Sequence, residues 1–253
     1  MMITKNYIAK GEGANRFEKI PVQIYETADK AVKAVAREIV DLVQTKAASS
    51  EKCVLGLATG VSPITLYEEL VRMHREEGVS FRNVVTFNLD EYLPMPKESE
   101  QSYHYFMHHH LFDHIDIDPK NIHIPDGTLE GDEIDRFCRD YEKAIEAAGG
   151  IDLQILGIGR TGHIGFNEPG SFITSQTRKV FLNDLTIKDA IKDFGSRNLV
   201  PTKAITMGVG TIMQARRVIL ERRKPRLLRQ PWKGEFRILF RQRSCRCTRT
   251  CSS

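Results

Sequence analysis

Residues 151–170, IDLQILGIGRTGHIGFNEPG, join an apolar run to a glycine-rich loop that carries titratable side chains. The run predicts a buried strand, and the glycines let the backbone of the loop approach a ligand closely. His163, Asn167 and Glu168 lie within or just after this loop. An open α/β sheet places its chemistry at the carboxyl ends of its strands. The stretch therefore favours an α/β fold with a functional site at this strand end.

Two other interpretations of the stretch are less favoured. A plain strand and loop with a solvated glutamate is the simplest, but here glycines, a histidine and an acid share one loop. A dinucleotide site needs a helix directly after the glycines and, about 20 residues further on, an acid that ends a second strand. The sequence shows neither feature, so the partial GxGxxG pattern is weak.

The whole chain has the length and composition of one ordinary α/β domain. It has 253 residues, 41% of them hydrophobic, and no apolar run approaches the length of a membrane span. The first ten residues lack a charged segment followed by an apolar one, so no secretory signal is seen. We therefore expect a cytoplasmic protein that does not bind a membrane.

The charge of the chain is divided unevenly. Residues 221–253 contain eleven Lys and Arg and two acids, which leaves residues 1–220 with a net charge of −5 although the whole chain has +4. A basic arm that binds nucleic acid is one interpretation of this tail. We favour a shifted reading frame, because apolar spacing is lost there, and we expect no nucleic-acid partner. The predicted domain is thus residues 1–220, followed by an anomalous basic tail at 221–253.

Regular apolar patterns predict an alternation of strands and helices, which is typical of a mostly parallel sheet. Strands are predicted at residues 21–25, 53–57, 83–89, 121–124, 151–158, 178–182, 203–207 and 218–220. Helices are predicted at residues 26–43, 63–77, 102–114, 131–148 and 185–194. Residues 46–52 and 92–100 are predicted to be loops. The pattern stops at residue 220.

A metal site receives little support from the sequence. The helix at 102–114 carries five histidines, and pairs spaced i, i+4 are compatible with metal binding. An amphipathic helix explains them more simply, since no strand-end carboxylate is tied to them in sequence. The thiols of the tail have no histidine nearby and make a poor zinc site. We predict no metal and no cofactor.

A second informative loop follows the strand at 53–57. It contains Thr59, Gly60 and Ser62, and Pro63 suits the first turn of a helix. Free N–H groups at a helix start, together with hydroxyls, hold phosphate well. The alternative is that Ser62 simply caps the helix. The loop lacks the lysine of a P-loop, so it indicates phosphate but not nucleotide.

The strand at 83–89 delivers a third polar group, Asp90, at its carboxyl end. A surface charge is the usual meaning of such an acid. Strand ends of a parallel sheet converge on one edge, however, so Asp90 can share a cleft with the phosphate loop and with His163. A phosphate handle beside acid and base groups suits a sugar phosphate that undergoes proton transfers next to a carbonyl.

Several segments of the chain together resemble a known family. The segments LGLATGVSPITLYEEL, VVTFNLDEYLPMP, SYHYFMHHHLFDHIDI, LGIGRTGHIGFNEPGSF and ITMGVGTIMQA, in this order, look like glucosamine-6-phosphate deaminases. The resemblance covers roughly residues 20–220. It implies a Rossmann-like open, mostly parallel sheet with helices on both faces and no bound nucleotide. It also implies conversion of glucosamine 6-phosphate and water to fructose 6-phosphate and ammonia.

The resemblance assigns roles to matching positions. Asp90 resembles the base that moves a proton from C2 to C1, and His163 resembles the group that opens the sugar ring. Glu168 resembles the acid that orients His163. Residues 59–62 resemble the phosphate cradle, and Lys192 aligns with a phosphate-binding arginine. A homo-oligomer is a further expectation.

Two departures from the family pattern concern the site. Thr161 stands where many members have aspartate, so we expect His163 to depend on Glu168 alone. Lys192 keeps the positive charge of an arginine but loses its bidentate fork. Two alternatives therefore stay open: a 6-phosphogluconolactonase-like hydrolase, and a sugar-phosphate-binding protein with weak or no turnover.

Overall fold

The structure, a computed structural model, describes residues 22–222 and 236–242. Its strands are Val22–Tyr25 (β1), Cys53–Leu57 (β2), Val84–Asn88 (β3), Asp90–Leu93 (β4), Ile122–His123 (β5), Leu153–Gly157 (β6), Arg178–Phe181 (β7), Lys203–Thr206 (β8), Arg217–Arg222 (β9) and Phe236–Gln242 (β10). Its helices are Ala28–Ala48 (α1), Val61–Glu77 (α2), Tyr103–His110 (α3), Glu133–Ala147 (α4), Asp184–Phe194 (α5) and Val209–Gln214 (α6). None of the helices in the described ranges is long and apolar enough to cross a membrane.

Seven strands form the main sheet in the order β1-β10-β9-β6-β2-β3-β5. Neighbours from β9 to β5 are parallel, and β10 runs antiparallel to both β9 and β1. All five residues of β2 are buried, which explains its unbroken apolar run. The predicted mostly parallel α/β sheet is confirmed, and β6, β2 and β3 are neighbours at its centre.

Helices α1 and α2 pack together and cover the sheet. The buried stripe of α1 recurs at helical spacing along one face and joins the main apolar core. Helix α1 is longer than the predicted 26–43. It begins after Thr27, whose Oγ1 accepts the backbone N–H of Lys30 at 3.2 Å, and continues to Ala48. Part of the predicted 46–52 loop is therefore helical.

A second, three-stranded sheet in the order β4-β8-β7 was not predicted from the sequence. Both of its pairings are antiparallel. Residues 92 and 93 were expected in a loop but lie in β4, which is separated from the end of β3 by a single residue. The predicted strands at 178–182 and 203–207 exist, but they belong to this small sheet. A separate apolar cluster that includes Tyr92, Phe166 and Ile187 packs against it.

Little of the predicted basic tail is described. Residues 221–222 complete β9, and the backbone of residues 236–242 forms β10 in the main sheet. Residues 223–235 and 243–253, with the three tail cysteines, lie outside the described residues. The shifted-frame interpretation stays a prediction.

Candidate active site

A cleft of about 430 Å³ opens at the carboxyl ends of β2, β3 and β6. Its wall combines the phosphate loop, the end of β3 with Asp90, the glycine-rich loop with His163, and helix α5. The structure thus brings together six of the seven predicted site residues: Thr59, Gly60, Ser62, Asp90, His163 and Lys192. The seventh, Glu168, contacts His163 and does not line the cleft itself.

The loop after β2 presents the start of α2 to the cleft. Gly60 occupies the N-cap position with φ 101°, a left-handed conformation that favours glycine, and no side chain caps the helix. Ser62 lies inside the first turn, so the alternative that Ser62 is the N-cap is wrong. Uncapped N–H groups and the positive end of the helix dipole suit a phosphate group here.

Asp90 is a buried carboxyl group on the cleft wall, with 6% of its surface exposed. Burial, reinforced by the nearby charge of Glu91, raises the pKa of Asp90 to about 8. A Cβ atom at Gly165 would lie 3.2 Å from Asp90 Oδ2, so the glycine-rich loop passes close to this carboxyl group. A carboxyl with a pKa near the working pH can both take up and return a proton.

Glu91, the neighbour of Asp90 on strand β4, does not line the cleft and has a structural role. Its two carboxylate oxygens accept the backbone N–H groups of Tyr92 at 2.9 Å and His104 at 3.0 Å. The second bond satisfies a free donor in the first turn of α3. Burial raises the pKa of Glu91 to about 7, although these hydrogen bonds act in the opposite direction. Glu91 therefore anchors α3 beside the cleft.

The imidazole of His163 lies directly against the backbone of Gly159. A Cβ atom at Gly159 would lie 2.1 Å from His163 Nε2, which no side chain can tolerate. The backbone N–H of Gly159 also donates to the carbonyl of His163 at 2.9 Å. The glycine at position 159 is thus required for the close approach of the ring, and the loop folds back to hold it.

Thr161 lies between His163 and Glu168. Its Oγ1 is 2.7 Å from His163 Nδ1 and 3.2 Å from Glu168 Oε2. The direct separation of His163 Nδ1 from Glu168 Oε2 is longer, 3.4 Å. The other oxygen of Glu168 accepts the hydroxyl of Thr186, from the first turn of α5. The expectation that His163 depends on Glu168 alone is therefore wrong, because a threonine hydroxyl joins the two.

Helix α5 forms the charged side of the cleft. Four polar or charged side chains of this helix line the cleft: Thr186, Asp189, Lys192 and Asp193. Asp189 Oδ1 lies 3.2 Å from Arg160 Nη2, and the two side chains of this ion pair are 50% and 57% exposed, respectively. Ion pairs as exposed as this one contribute little to the stability of a fold. Lys192 is the cation that this helix offers to an anionic ligand.

Some cleft residues were not identified from the sequence. Arg160 stands inside the quoted glycine-rich stretch, and Tyr103 enters because Glu91 holds the start of α3. The cleft-lining positions of α5 fall at 186, 189, 190, 192 and 193, so a helical projection of the sequence could have identified this face of the helix.

Asn167 was singled out in the loop, but the structure gives it a structural role. Its side-chain amide donates hydrogen bonds to the backbone carbonyls of Ile164 and Met207.

The histidine-rich helix does not form a metal site in the described part of the chain. Within the two described ranges, no three His, Cys, Asp or Glu side chains lie close enough to hold a metal ion. His104 and His108 stack on each other, with ring centroids 4.5 Å apart. His108 Nδ1 contacts Asp113 Oδ1 at 2.8 Å.

Comparison with known proteins adds an independent observation. The sequence model of the family described as glucosamine-6-phosphate isomerases/6-phosphogluconolactonase matches residues 26–224, more than half of the chain. A glucosamine-6-phosphate deaminase of Porphyromonas gingivalis strain W83 is 49% identical over 211 residues, which are 81% of this chain and 80% of the relative.

Two further similarities concern a longer protein and a solved structure. A putative glucosamine-6-phosphate deaminase-like protein of Bacteroides thetaiotaomicron is 46% identical over 81% of this chain, but the match spans only 31% of that longer protein. The structure of a monomeric glucosamine-6-phosphate deaminase superposes with a TM-score of 0.72 at 41% identity, covering 77% of this chain and 78% of that one.

Proposed function

This chain belongs to the family of glucosamine-6-phosphate isomerases and 6-phosphogluconolactonases, and we propose that it is a glucosamine-6-phosphate deaminase. The reaction takes glucosamine 6-phosphate and water to fructose 6-phosphate and ammonia. The observation that carries the proposal is the meeting of a phosphate loop, a buried carboxyl and a histidine in one cleft. The deaminase similarities at 41–49% identity support the choice within the family.

Phosphate binding is assigned to the start of α2 and to Lys192. The uncapped first turn of α2 offers N–H groups, and Thr59 and Ser62 add hydroxyls. Lys192 lines the same cleft from α5 and supplies a full positive charge. Binding the phosphate, which does not react, fixes the sugar so that its reacting carbons meet the catalytic groups.

Ring opening is assigned to His163. The imidazole takes the proton of the hydroxyl on C1 and returns a proton to the ring oxygen, so that the C1–O5 bond breaks and a C1 aldehyde forms. A neutral imidazole that can accept and then donate a proton suits this step. Because His163 is packed against Gly159 and bonded to Thr161, its ring is held in one orientation.

Isomerisation is assigned to Asp90. The carboxylate removes the proton from C2 while the C1 carbonyl oxygen gains a proton, which gives an enolamine. The carboxylate then delivers its proton to C1 while the amino group loses one, which leaves a hydroxyl on C1 and an imine at C2. Water then adds to C2, and the nitrogen leaves as ammonia. Burial raises the pKa of Asp90, so its carboxylate is a stronger base than an exposed aspartate.

The test compares two reactions of one purified preparation. We expect ammonia release from glucosamine 6-phosphate to exceed hydrolysis of 6-phosphogluconolactone by at least about 100-fold in kcat/KM, a difference of roughly 3 kcal/mol in transition-state binding. Faster lactone hydrolysis would assign the chain to the other branch of the family. Binding of glucosamine 6-phosphate without either reaction would make it a binding protein.

A further inference from the structure

Four side chains at the wall of the cleft form a continuous hydrogen-bonded row. Thr186 donates to one oxygen of Glu168, Thr161 reaches the other oxygen at 3.2 Å, and Thr161 meets His163 Nδ1 at 2.7 Å. The side chains of His163 and Glu168 are each 16% exposed, so little water competes for these contacts. The row links the histidine to helix α5.

The number of available hydrogens decides how the row is arranged. A threonine hydroxyl has one hydrogen to donate, and an ionised carboxylate only accepts. If Thr161 donates to Glu168, its oxygen is left to accept, and His163 must then carry a hydrogen on Nδ1. The opposite arrangement, in which Thr161 donates to Nδ1, leaves one oxygen of Glu168 without its donor. The first arrangement gives a partner to both hydroxyls, to both Glu168 oxygens and to Nδ1 of His163, and it is the one expected at a nearly buried site.

The same bonds serve both protonation states of the ring. A neutral His163 with its hydrogen on Nδ1 has a free lone pair on Nε2, and Nε2 has no hydrogen-bond partner among the described residues. When Nε2 takes up a proton, the Nδ1–H bond to Thr161 is unchanged. The row therefore needs no rearrangement during a proton shuttle, which is the form of preorganisation that favours acid–base catalysis.

We propose that Thr161 is a positioning residue whose hydroxyl fixes the hydrogen of His163 on Nδ1 and transmits the charge of Glu168, with Thr186 holding that carboxylate in place. This rests on the proposed function, since it assigns Nε2 of His163 as the atom that exchanges protons with the sugar. The other charged groups lining the cleft are Asp90, the Arg160–Asp189 pair, Lys192 and Asp193. None of them makes a hydrogen bond to Nδ1 in the described residues.

The first experiment reads the position of the hydrogen and needs no turnover. Nitrogen-15 NMR of the full chain at about pH 9, where an ordinary imidazole is neutral, distinguishes a hydrogen on Nδ1 from one on Nε2. The chain has eight histidines, so His163→Gln identifies the signals of His163. We expect the Nδ1–H form in the unsubstituted protein and in Thr161→Ser, and a shift towards the Nε2–H form in Thr161→Val.

Once the signals of His163 are identified, the spectrum of the unsubstituted protein is decisive whether or not the Thr161 variants fold. A spectrum that shows His163 with its hydrogen on Nε2 would overturn the proposal. An unchanged Nδ1–H form in a folded Thr161→Val, or in Thr161→Ala if the valine variant unfolds, would overturn it as well. Neither result depends on deaminase activity, so failure of the inference is distinguishable from failure of the proposed function.

The second readout separates positioning from general damage. We expect Thr161→Val to lower kcat for ammonia release by about 10- to 100-fold with KM little changed, part of the gain usual for acid–base catalysis. Thr161→Ser should restore kcat to within about threefold of the unsubstituted protein. Thr128→Val is the matched control, because Thr128 also donates to a carboxylate, Asp126 Oδ1 at 2.7 Å, but lies outside the cleft. A loss of kcat in Thr128→Val equal to that in Thr161→Val would contradict the proposal.

Discussion

The carboxyl group of Asp90 is buried at a cost to the stability of the fold. Its pKa is raised from 3.8 to about 8 by burial and by Glu91. The folded protein therefore binds the proton more tightly than the unfolded chain does. Stability from this group is fully present below about pH 4 and is lost as the pH rises towards 8. A group with this cost is typical of a functional site.

Replacing Asp90 with asparagine should therefore stabilise the protein at alkaline pH. We expect Asp90→Asn to raise the free energy of unfolding at pH 9 by on the order of 2 kcal/mol, because a neutral amide avoids burying a charge. Thermal melts at pH 5 and pH 9 measure the effect, which should be much smaller at pH 5. Asp193→Asn is the control, since Asp193 lines the same cleft but is exposed. An equal gain in both variants at pH 9 would refute this account of Asp90.

Gly159 gives a prediction about the position of the imidazole. A methyl group in Gly159→Ala would clash with the ring of His163 and displace it. Displacement of a reacting group by about 1 Å costs on the order of 100-fold in rate, so we expect kcat to fall by about that factor. Gly157→Ala provides the comparison, because its Cβ would meet nothing within 4 Å. Steady-state kinetics should show a far smaller loss there, and similar losses in both would contradict the packing argument.

Helix α5 is the element that connects ligand binding to the histidine. It carries Lys192 towards the cleft and Thr186 towards Glu168. The helix is positioned by Asn183, whose side chain accepts the backbone N–H of Thr186 at 2.8 Å, and by its buried Ile187 and Ala190. One short helix thus positions both the lysine to which phosphate binding is assigned and the threonine at one end of the hydrogen-bonded row.

The contribution of Lys192 should appear in KM. We expect Lys192→Ala to raise KM for the sugar phosphate by about tenfold with a smaller change in kcat, because the lost interaction is with a group that does not react. Lys192→Arg should keep KM within about threefold, since it retains the charge. Lys188→Ala, one turn earlier on the same helix and outside the cleft lining, should leave KM unchanged. A rise in KM for Lys188→Ala as large as that for Lys192→Ala would show a general effect of helix charge.

At the scale of the whole molecule, the main sheet and its active edge were predictable because their signals are local. Apolar runs at 53–57, 83–89 and 151–158 are fully or nearly buried strands, and their polar ends meet because parallel neighbours end on one side. The grouping of Thr59, Asp90 and His163 followed from that rule alone. Their specific roles came from the resemblance to a family.

The remainder depends on contacts between distant parts of the chain. Strand β4 follows β3 after a single residue and leaves the main sheet to pair with β8, more than 100 residues later. Thr186 meets Glu168 across 18 residues that include strand β7. Such pairings are decided by tertiary packing, so sequence patterns could not reveal the small sheet or the hydroxyl between His163 and Glu168.

The most direct test of the central claim is ammonia release from glucosamine 6-phosphate at pH 8.5 by the 253-residue chain and by Asp90→Asn. At that pH most of the Asp90 carboxyl is ionised, since its pKa is about 8. We expect turnover that Asp90→Asn lowers by at least about 100-fold, while Asp140→Asn, an exposed acid outside the cleft, retains it. Equal rates in Asp90→Asn and the unsubstituted chain, or no ammonia from a folded protein that binds the sugar phosphate, would contradict the assignment of this cleft as a deaminase active site.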